Sequence, residues 1–425
     1  MSPKTPLAQF LCVALGACGA NDTSQGAAGS GGSSANAVGS QESSASTGTN
    51  GTGGLSKLAV LLQELNENTS KALQTQGSQG GWPAPVEDGY LVVSTNLAQT
   101  NVAGDFSDWQ PTNMALGKGF RWAVVKAAPA SRYKFTDGAK NWNADPWSRV
   151  YGYDDNGEMS FLQGSSDAHL ERHFAVEGAG LGPRTVRIWL PKLKATRVLY
   201  VQDGQNLFDP EAPWGGWNLA SVAPSGVMLV GIDNSAARMD EYTHVPDDLG
   251  DGPTGGHADA YAAFLNGTVR SLIAARYGEP AIVGVMGSSL GGLVSLAVAD
   301  SAPGQYAFAA SLSGTLGWGS IGAGVHNETM LQRYQQHGHR KTVLYVDAGG
   351  GGTCADSDLD GTDDDGDGSD NFCENFQFTK GLGKLGYTEG KDLFTFHEPG
   401  APHNEAAWAA RVFHPLDVFA TIPTP

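Results

Sequence analysis

From about residue 165 onward, short runs of consecutive apolar residues alternate with stretches whose apolar positions recur at helical spacing. The runs 185–190, 197–201, 227–232, 281–286, 306–311, 342–346 and 393–396 are rich in Val, Ile, Leu and aromatic residues. Such runs are strands buried on both faces. Segments 258–276 and 376–385 carry the clearest amphipathic helical pattern between them, and 293–299 reads as a further helix directly after the run 281–286. Strands interleaved with helices predict a parallel sheet covered on both sides.

The earlier part of the chain has a different period. Between about residues 82 and 162, alternating segments at 90–93, 122–125 and 133–135 are separated by Gly, Asp and Pro turns, an all-β pattern. Ahead of it, Leu58, Val60, Leu61, Leu62 and Leu65 fall at helical spacing, so 55–73 is expected to be a helix packed on that β unit. Residues 19–54 are almost entirely small and uncharged. They cannot bury enough surface to offset chain entropy, and a flexible tether is expected. The expected organisation is an export segment at 1–18, a linker at 19–54, a β unit with its leading helix at 55–164, and an α/β domain at 165–425 with an Asp-rich insertion at 354–373.

The formal net charge of −18 argues against nucleic acid or an anionic membrane surface as a partner. Eight aspartates lie between Asp356 and Asp370, so much of that charge is local. Lys4 precedes the apolar run 7–17, which has the length of a signal-peptide core rather than of a membrane span. Leu15-Gly16-Ala17-Cys18 resembles the bacterial lipoprotein box, which implies lipidation of Cys18 and an exported protein of the cell envelope. Membrane contact is expected through that anchor alone. Cys354 and Cys373 are expected to pair as a disulfide in an exported chain.

Gly287-Ser288-Ser289-Leu290-Gly291 is a G-x-S-x-G pentapeptide placed between the predicted strand 281–286 and the predicted helix 293–299. A strand, a tight turn and a helix in that order form a nucleophile elbow, with glycines where a Cβ would clash, and Ser289 is the expected nucleophile. With the elbow in the middle of a parallel sheet, the expected fold is an α/β-hydrolase.

Resemblance to known families sharpens this. The stretches Leu199-Tyr-Val-Gln-Asp203-Gly-Gln-Asn-Leu-Phe208-Asp, Gly231-Ile-Asp-Asn234, Arg238-Met-Asp-Glu-Tyr242, the elbow, and Gly400-Ala-Pro-His403-Asn-Glu-Ala-Ala-Trp408 resemble the putative-esterase family of esterase D, enterochelin esterases and feruloyl esterases. Val102-Ala-Gly-Asp-Phe-Ser-Asp-Trp109, Tyr133-Lys-Phe135-Thr-Asp-Gly138 and Trp142-Asn-Ala-Asp-Pro146 resemble the early-set sandwich of the carbohydrate-binding module 48 type. That resemblance implies a small immunoglobulin-like β-sandwich before the hydrolase. Trp109, Trp142 and Trp147 have flat faces that suit a sugar ring. Burial of Trp109 and Phe135 in the sandwich core is the better expectation.

A catalytic serine needs a base, and the base needs an acid to orient it. The resemblance implies His403 as base; His257, His397 and His414 are expected to pack or face solvent. The oxyanion hole is expected from the N–H groups of Leu290, by its place after the nucleophile, and of Gln205, by resemblance. Asp203 beside that hole and Arg238 on the loop after the third strand are candidate substrate contacts. Their alternatives are a turn-stabilising Asp and an Arg238–Glu241 ion pair.

The acid should follow the strand 342–346. Asp356 is nearest to that place, with Asp370 and Glu374 as alternatives and Asp347 expected to be structural. Asp356, Asp358, Asp360, Asp363 and Asp367 also resemble a calcium loop, in which alternate carboxylates converge on a hard cation while Gly361 permits the turn. A structural calcium is therefore expected, and no cofactor for the chemistry. The function expected is ester hydrolysis through an acyl-enzyme. Acylated carbohydrates or feruloyl-type esters and enterochelin-like siderophore esters are the candidate substrates, and a glycan-binding lipoprotein with an inert hydrolase domain is the alternative.

Overall fold

Eight strands after residue 165 form the part of the sheet that carries the site: β1 (His169–Gly178), β2 (Leu181–Leu190), β3 (Arg197–Gln202), β4 (Val227–Ile232), β5 (Ile282–Ser288), β6 (Phe308–Leu312), β7 (Val343–Ala348) and β8 (Leu393–His397). The structure, a computed structural model, describes residues 55–424 apart from 213, 214, 323, 357, 358, 360 and 364–368. Cys18, the export segment, the linker, Asp358, Asp360 and Asp367 lie outside the described residues.

The spatial order is β1-β2-β4-β3-β5-β6-β7-β8. β2 is antiparallel to β1 and β4, and every pair from β4 through to β8 is parallel. This is an α/β-hydrolase sheet. Ser288 pairs with Leu312, Leu312 with Asp347, and Asp347 with Phe396. That register brings four neighbouring strands to an end at one level, so the loops that follow them meet at the carboxyl edge, where open parallel sheets build their sites.

The strands are apolar on both faces because both are covered. Tyr200, Val285 and Val346 pack with Leu293 and Leu296 of the helix Leu290–Ser301. Val201, Met286 and Leu312 pack on the other side with Trp408, Leu416 and Phe419. Gly284 belongs to the second face, where a Cβ would stand 2.7 Å from the Phe419 ring.

The preceding β unit has two sheets around Val92, Val102, Tyr133, Phe135 and Leu162. One of them continues without a break into the hydrolase sheet, since Val150–Asp154 pairs with β1 through Tyr151 and Leu170. The boundary expected at 164/165 therefore falls in a loop, while backbone hydrogen bonding runs across it. Phe135 is fully buried as expected, but Trp109 is only partly buried and lies outside the core, at the sandwich edge, its ring 6.2 Å from that of Trp142, which is 38% exposed. Trp147 packs on Phe174.

The leading segment forms two helices, Lys57–Glu67 and Thr69–Gln79, rather than one. Asn68 between them is extended, and its side chain accepts the N–H of Lys71. An Asn in that position caps a new helix in preference to continuing the old one. The stretch expected as one helix at 258–276 likewise contains a π-helical turn, Phe264–Val269, between Ala258–Ala263 and Arg270–Tyr277.

Candidate active site

β5 ends at Ser288 and the chain turns sharply at Ser289, whose φ of 55° and ψ of −127° are strained for a residue with a Cβ. The flanking glycines make the turn possible. A Cβ on Gly287 would strike the carbonyl oxygen of Gly291 and stand 2.8 Å from Gln202 Cγ, and one on Gly291 would meet Gln202 Cβ at 3.0 Å. The N–H of Ser289 donates to Leu312 O at 3.0 Å, and its carbonyl accepts the N–H of Leu293 at 3.1 Å. Between these bonds the serine is held at the mouth of the helix that follows.

His403 lies on the loop after β8. That loop is tied to the loop after β7, because Gly350 N–H donates to Ala401 O and Gly400 N–H to Gly350 O, each at 2.8 Å. His403 Nε2 is 2.9 Å from Ser289 Oγ, and His403 Nδ1 is 2.8 Å from Asp370 Oδ1. With Nδ1–H donating to the carboxylate, Nε2 is left to accept the serine hydroxyl. The Trp408 ring meets the imidazole edge-on, 4.9 Å between centroids.

The carboxylate against His403 is thus that of Asp370, and Asp356, the nearest candidate by chain position, is elsewhere. Asp356 turns Oδ2 to the N–H of Gly361 at 3.0 Å. The chain leaves β7, runs through the acidic insertion and returns beside His403 only at its end. Position after the strand was therefore the wrong guide. The return limb is closed by the disulfide Cys354–Cys373, as the cysteine count implies. Glu374 faces away, accepting the N–H groups of Leu316 at 3.0 Å and Gly317 at 2.9 Å. Asp347 is buried, bonded to Arg411 and to the Tyr345 hydroxyl. Burial pushes its carboxyl up to about 7.

Leu290 is the first residue of its helix, where N–H groups have no partner within the helix. Gln205 lies in the short turn Gly204–Asn206 after β3. Its side-chain oxygen accepts the N–H of Asn234 at 3.2 Å. The Leu290 N–H thus follows Ser289 directly, and the turn that carries Gln205 starts at Asp203, whose Oδ2 would stand 3.1 Å from a Cβ on Gly291.

Asp203 and Arg238 meet each other, with Nε 2.8 Å from Oδ1 and Nη2 2.9 Å from Oδ2. The Arg238–Glu241 pair is not what forms. Glu241 instead binds Arg184 of β2 through two bonds of 2.7 and 3.0 Å. In a helix of only one turn, the arginine on the neighbouring strand offers Glu241 the better-placed fork. Glu405 accepts from Asn206 Nδ2 at 3.2 Å, and burial raises its carboxyl above the ordinary value, with Asp203 adding to the rise.

His397 lies against Phe372 with Nε2 3.2 Å from Gly350 O, and His414 packs between Phe396 and Phe413. His257 precedes the helix Ala258–Ala263. Asn234, which closes one of the family-like stretches, joins the site through Asp203, and Ser313 and Arg411 join it without having been singled out. The one available signal was an arginine set among Ala, Trp, Val and Phe at 407–413.

Asp363 donates its N–H to Gln377. Among the described residues no three His, Cys, Asp or Glu side chains gather as metal ligands. Asp356 Oδ1 is nevertheless buried and without a hydrogen-bond partner among the described residues, which suits a cation ligand.

No curated protein matches the chain. Among solved structures it is similar to an IroE-like serine hydrolase from Shewanella oneidensis, at 18% identity over 59% of this chain and 80% of that one, TM-score 0.45. The enterobactin esterase of Shigella flexneri is 14% identical over 78% of this chain and 92% of its own, TM-score 0.44. A siderophore hydrolase, EstB, from Aspergillus nidulans is 17% identical over 59% and 94%, TM-score 0.41. Residues 181–416 match the family model described as "Putative esterase", which is more than half of the chain. The chain belongs to that esterase family.

Proposed function

We propose that this chain is an exported serine carboxylic-ester hydrolase that works through an acyl-enzyme. The observation that carries the reading is the unbroken sequence of contacts from Ser289 Oγ to His403 Nε2 at 2.9 Å and from His403 Nδ1 to Asp370 Oδ1 at 2.8 Å. Ser289 Oγ attacks the ester carbonyl carbon while its proton passes to His403 Nε2. The negative charge on the former carbonyl oxygen is met by the N–H groups of Leu290 and Gln205. Collapse breaks the C–O bond, and the proton on His403 leaves with the alcohol. Water then gives its proton to His403 and adds to the acyl carbon, and the second collapse returns the proton to Ser289 and frees the acid.

The substrate is a small-molecule or glycan-linked ester. An acylated carbohydrate or feruloyl-type ester accords with export through a lipidated Cys18, and a siderophore ester with the family resemblance. The half-exposed Trp109–Trp142 pair favours glycan contact at the sandwich, which is the feature a non-catalytic glycan-binding lipoprotein would share. Asp356, whose Oδ1 has no hydrogen-bond partner among the described residues, would hold a structural calcium together with carboxylates of the acidic insertion. Residues 55–425 should bind calcium by titration calorimetry, and Asp356→Asn should abolish the heat.

The deciding experiment is turnover of short-chain p-nitrophenyl esters, methyl ferulate and a catecholate trilactone by wild type and Ser289→Ala. Loss of turnover in the variant supports the esterase. Rates equal in wild type and Ser289→Ala on all three substrates, with retention on an acylated polysaccharide column, would favour the binding protein.

A further inference from the structure

We propose that Arg411 is a positioning residue for the acid–base pair, fixing the Asp370 carboxylate so that Oδ1 faces His403. This deepens the esterase reading and rests on Asp370 acting as the acid.

Asp370 divides its two oxygens between two tasks. Oδ1 takes the N–H of His403 at 2.8 Å. Oδ2 accepts from Ser313 Oγ at 2.6 Å, from Arg411 Nη2 at 3.1 Å and from the N–H of Gly349. Three donors on one oxygen stop the carboxylate from turning. The Ser313 hydroxyl is itself oriented, because it accepts from Trp408 Nε1 at 3.0 Å and from Arg411 Nη2, so its single proton goes to Asp370. One short helix, Glu405–Arg411, thus begins beside the base, sets Trp408 against the imidazole, and ends with Arg411 behind the acid.

Charge adds to geometry. The side chains of Asp370 and Asp347 are both fully buried and that of Arg411 is 1% exposed. An ionised carboxylate in such surroundings requires a paired cation. Among the described residues Arg411 is the one Lys or Arg in an ion pair with either aspartate. Burial holds the Asp347 carboxyl up at about 7, so below that pH the guanidinium charge is left chiefly to Asp370. Without Arg411, Asp370 either takes up a proton or stands as an uncompensated charge that holds the imidazolium of His403 more tightly. Both outcomes move the acid limb of activity to higher pH.

The test uses the full chain with p-nitrophenyl acetate and compares wild type, Arg411→Lys, Arg411→Met, the double variant Asp347→Asn/Arg411→Met, and Ser289→Ala. The double variant also replaces the second buried carboxyl that faces Arg411, so only Asp370 is left without its cation, and it is the comparison to use should the single variant fail to fold. In Arg411→Met and the double variant, kcat should fall about 100-fold with KM within about threefold, the range of a misdirected general base. The acid limb of kcat/KM should rise by about one pH unit, and Arg411→Lys should hold it near wild type. Unchanged kcat, a loss confined to KM, or an unmoved limb in the folded double variant would overturn the proposal. Wild type no faster than Ser289→Ala would overturn the esterase reading alone. The His403 titration, followed by imidazole 15N NMR in the same proteins, then decides for Arg411: a move in either direction supports it, upward where Asp370 stays ionised and downward where Asp370 takes the proton, and an unchanged midpoint rejects it.

Discussion

Arg238 grips both carboxylate oxygens of Asp203, at 2.8 and 2.9 Å, with both residues buried. Asp203 is in the left-handed region at φ 59° and leads directly into the turn Gly204–Asn206, and its Oδ1 also accepts Asn234 Nδ2 at 2.6 Å. The pair therefore shapes the turn that carries the Gln205 N–H. Its two charges satisfy each other at the site wall.

Arg238→Met should lower the unfolding free energy by about 3 kcal/mol, because it leaves a buried carboxylate without its cation. Asp203→Asn/Arg238→Met should recover more than half of that loss. Urea unfolding of the single and double variants checks it. Equal losses in both would mean that the two residues are not one energetic unit.

Asp370 and Asp356 can be separated by amide substitution, which keeps shape and removes charge. Asp370→Asn should lower kcat by about 10³ to 10⁴, because the imidazole loses the acceptor that sets its tautomer. Asp356→Asn should leave kcat within about twofold of wild type, as Asp356 accepts from Gly361 and does not meet His403. Steady-state kinetics on one p-nitrophenyl ester decides between them.

Asp347 makes stability depend on pH. Burial raises its carboxyl to about 7 in the folded chain, with Arg411 and Tyr345 offsetting only part of the cost. Its unfolded value is near the ordinary ~3.9. Between these values the native state holds a proton that the unfolded state has released, so its contribution is greatest below about pH 4 and falls by up to about 1.4 kcal/mol per pH unit until about pH 7. Asp347→Asn removes this dependence. Its stability relative to wild type should rise from pH 4.5 to 7 and then level off, measured by urea unfolding across that range. A pH-independent difference would mean that Asp347 is ionised throughout.

The fold was legible because its signals are dense and local. The all-apolar strands at 197–201, 227–232 and 281–286 admit few other readings, and Gly287 and Gly291 mark a turn that other residues cannot make. His403 was legible through its motif and its place after the last strand. Asp370 was legible only as an alternative to Asp356, since the insertion separates chain position from spatial position, and a carboxylate among eight aspartates carries no mark of its own. Arg411 and Ser313 act through contacts over nearly 100 residues of chain, which no local pattern records. At Asn68 a local capping preference, which the apolar spacing of 55–73 does not register, splits the expected helix in two.

The disulfide Cys354–Cys373 closes a loop between positions 19 apart, and Asp370 lies just inside its far end. Covalent closure and hydrogen bonding both hold this return limb, and their sizes can be compared. Opening a loop of that length costs about 3 kcal/mol through the gain of freedom in the unfolded chain. Locally, however, Ser369 Oγ and Gly351 exchange two bonds of 3.2 Å, and Asp370 keeps its bonds to Ser313, Gly349 and Arg411. These contacts do not depend on the cysteines. Cys354→Ser/Cys373→Ser should therefore lose about 3 kcal/mol in oxidising buffer while kcat falls less than about tenfold, since hydrogen bonds of ~1 kcal/mol each suffice to hold the limb in the folded protein. Urea unfolding and p-nitrophenyl ester turnover of the same preparation measure both quantities. A larger loss of kcat in a folded double variant would assign the placement of Asp370 to the disulfide and not to the bonds around its Oδ2.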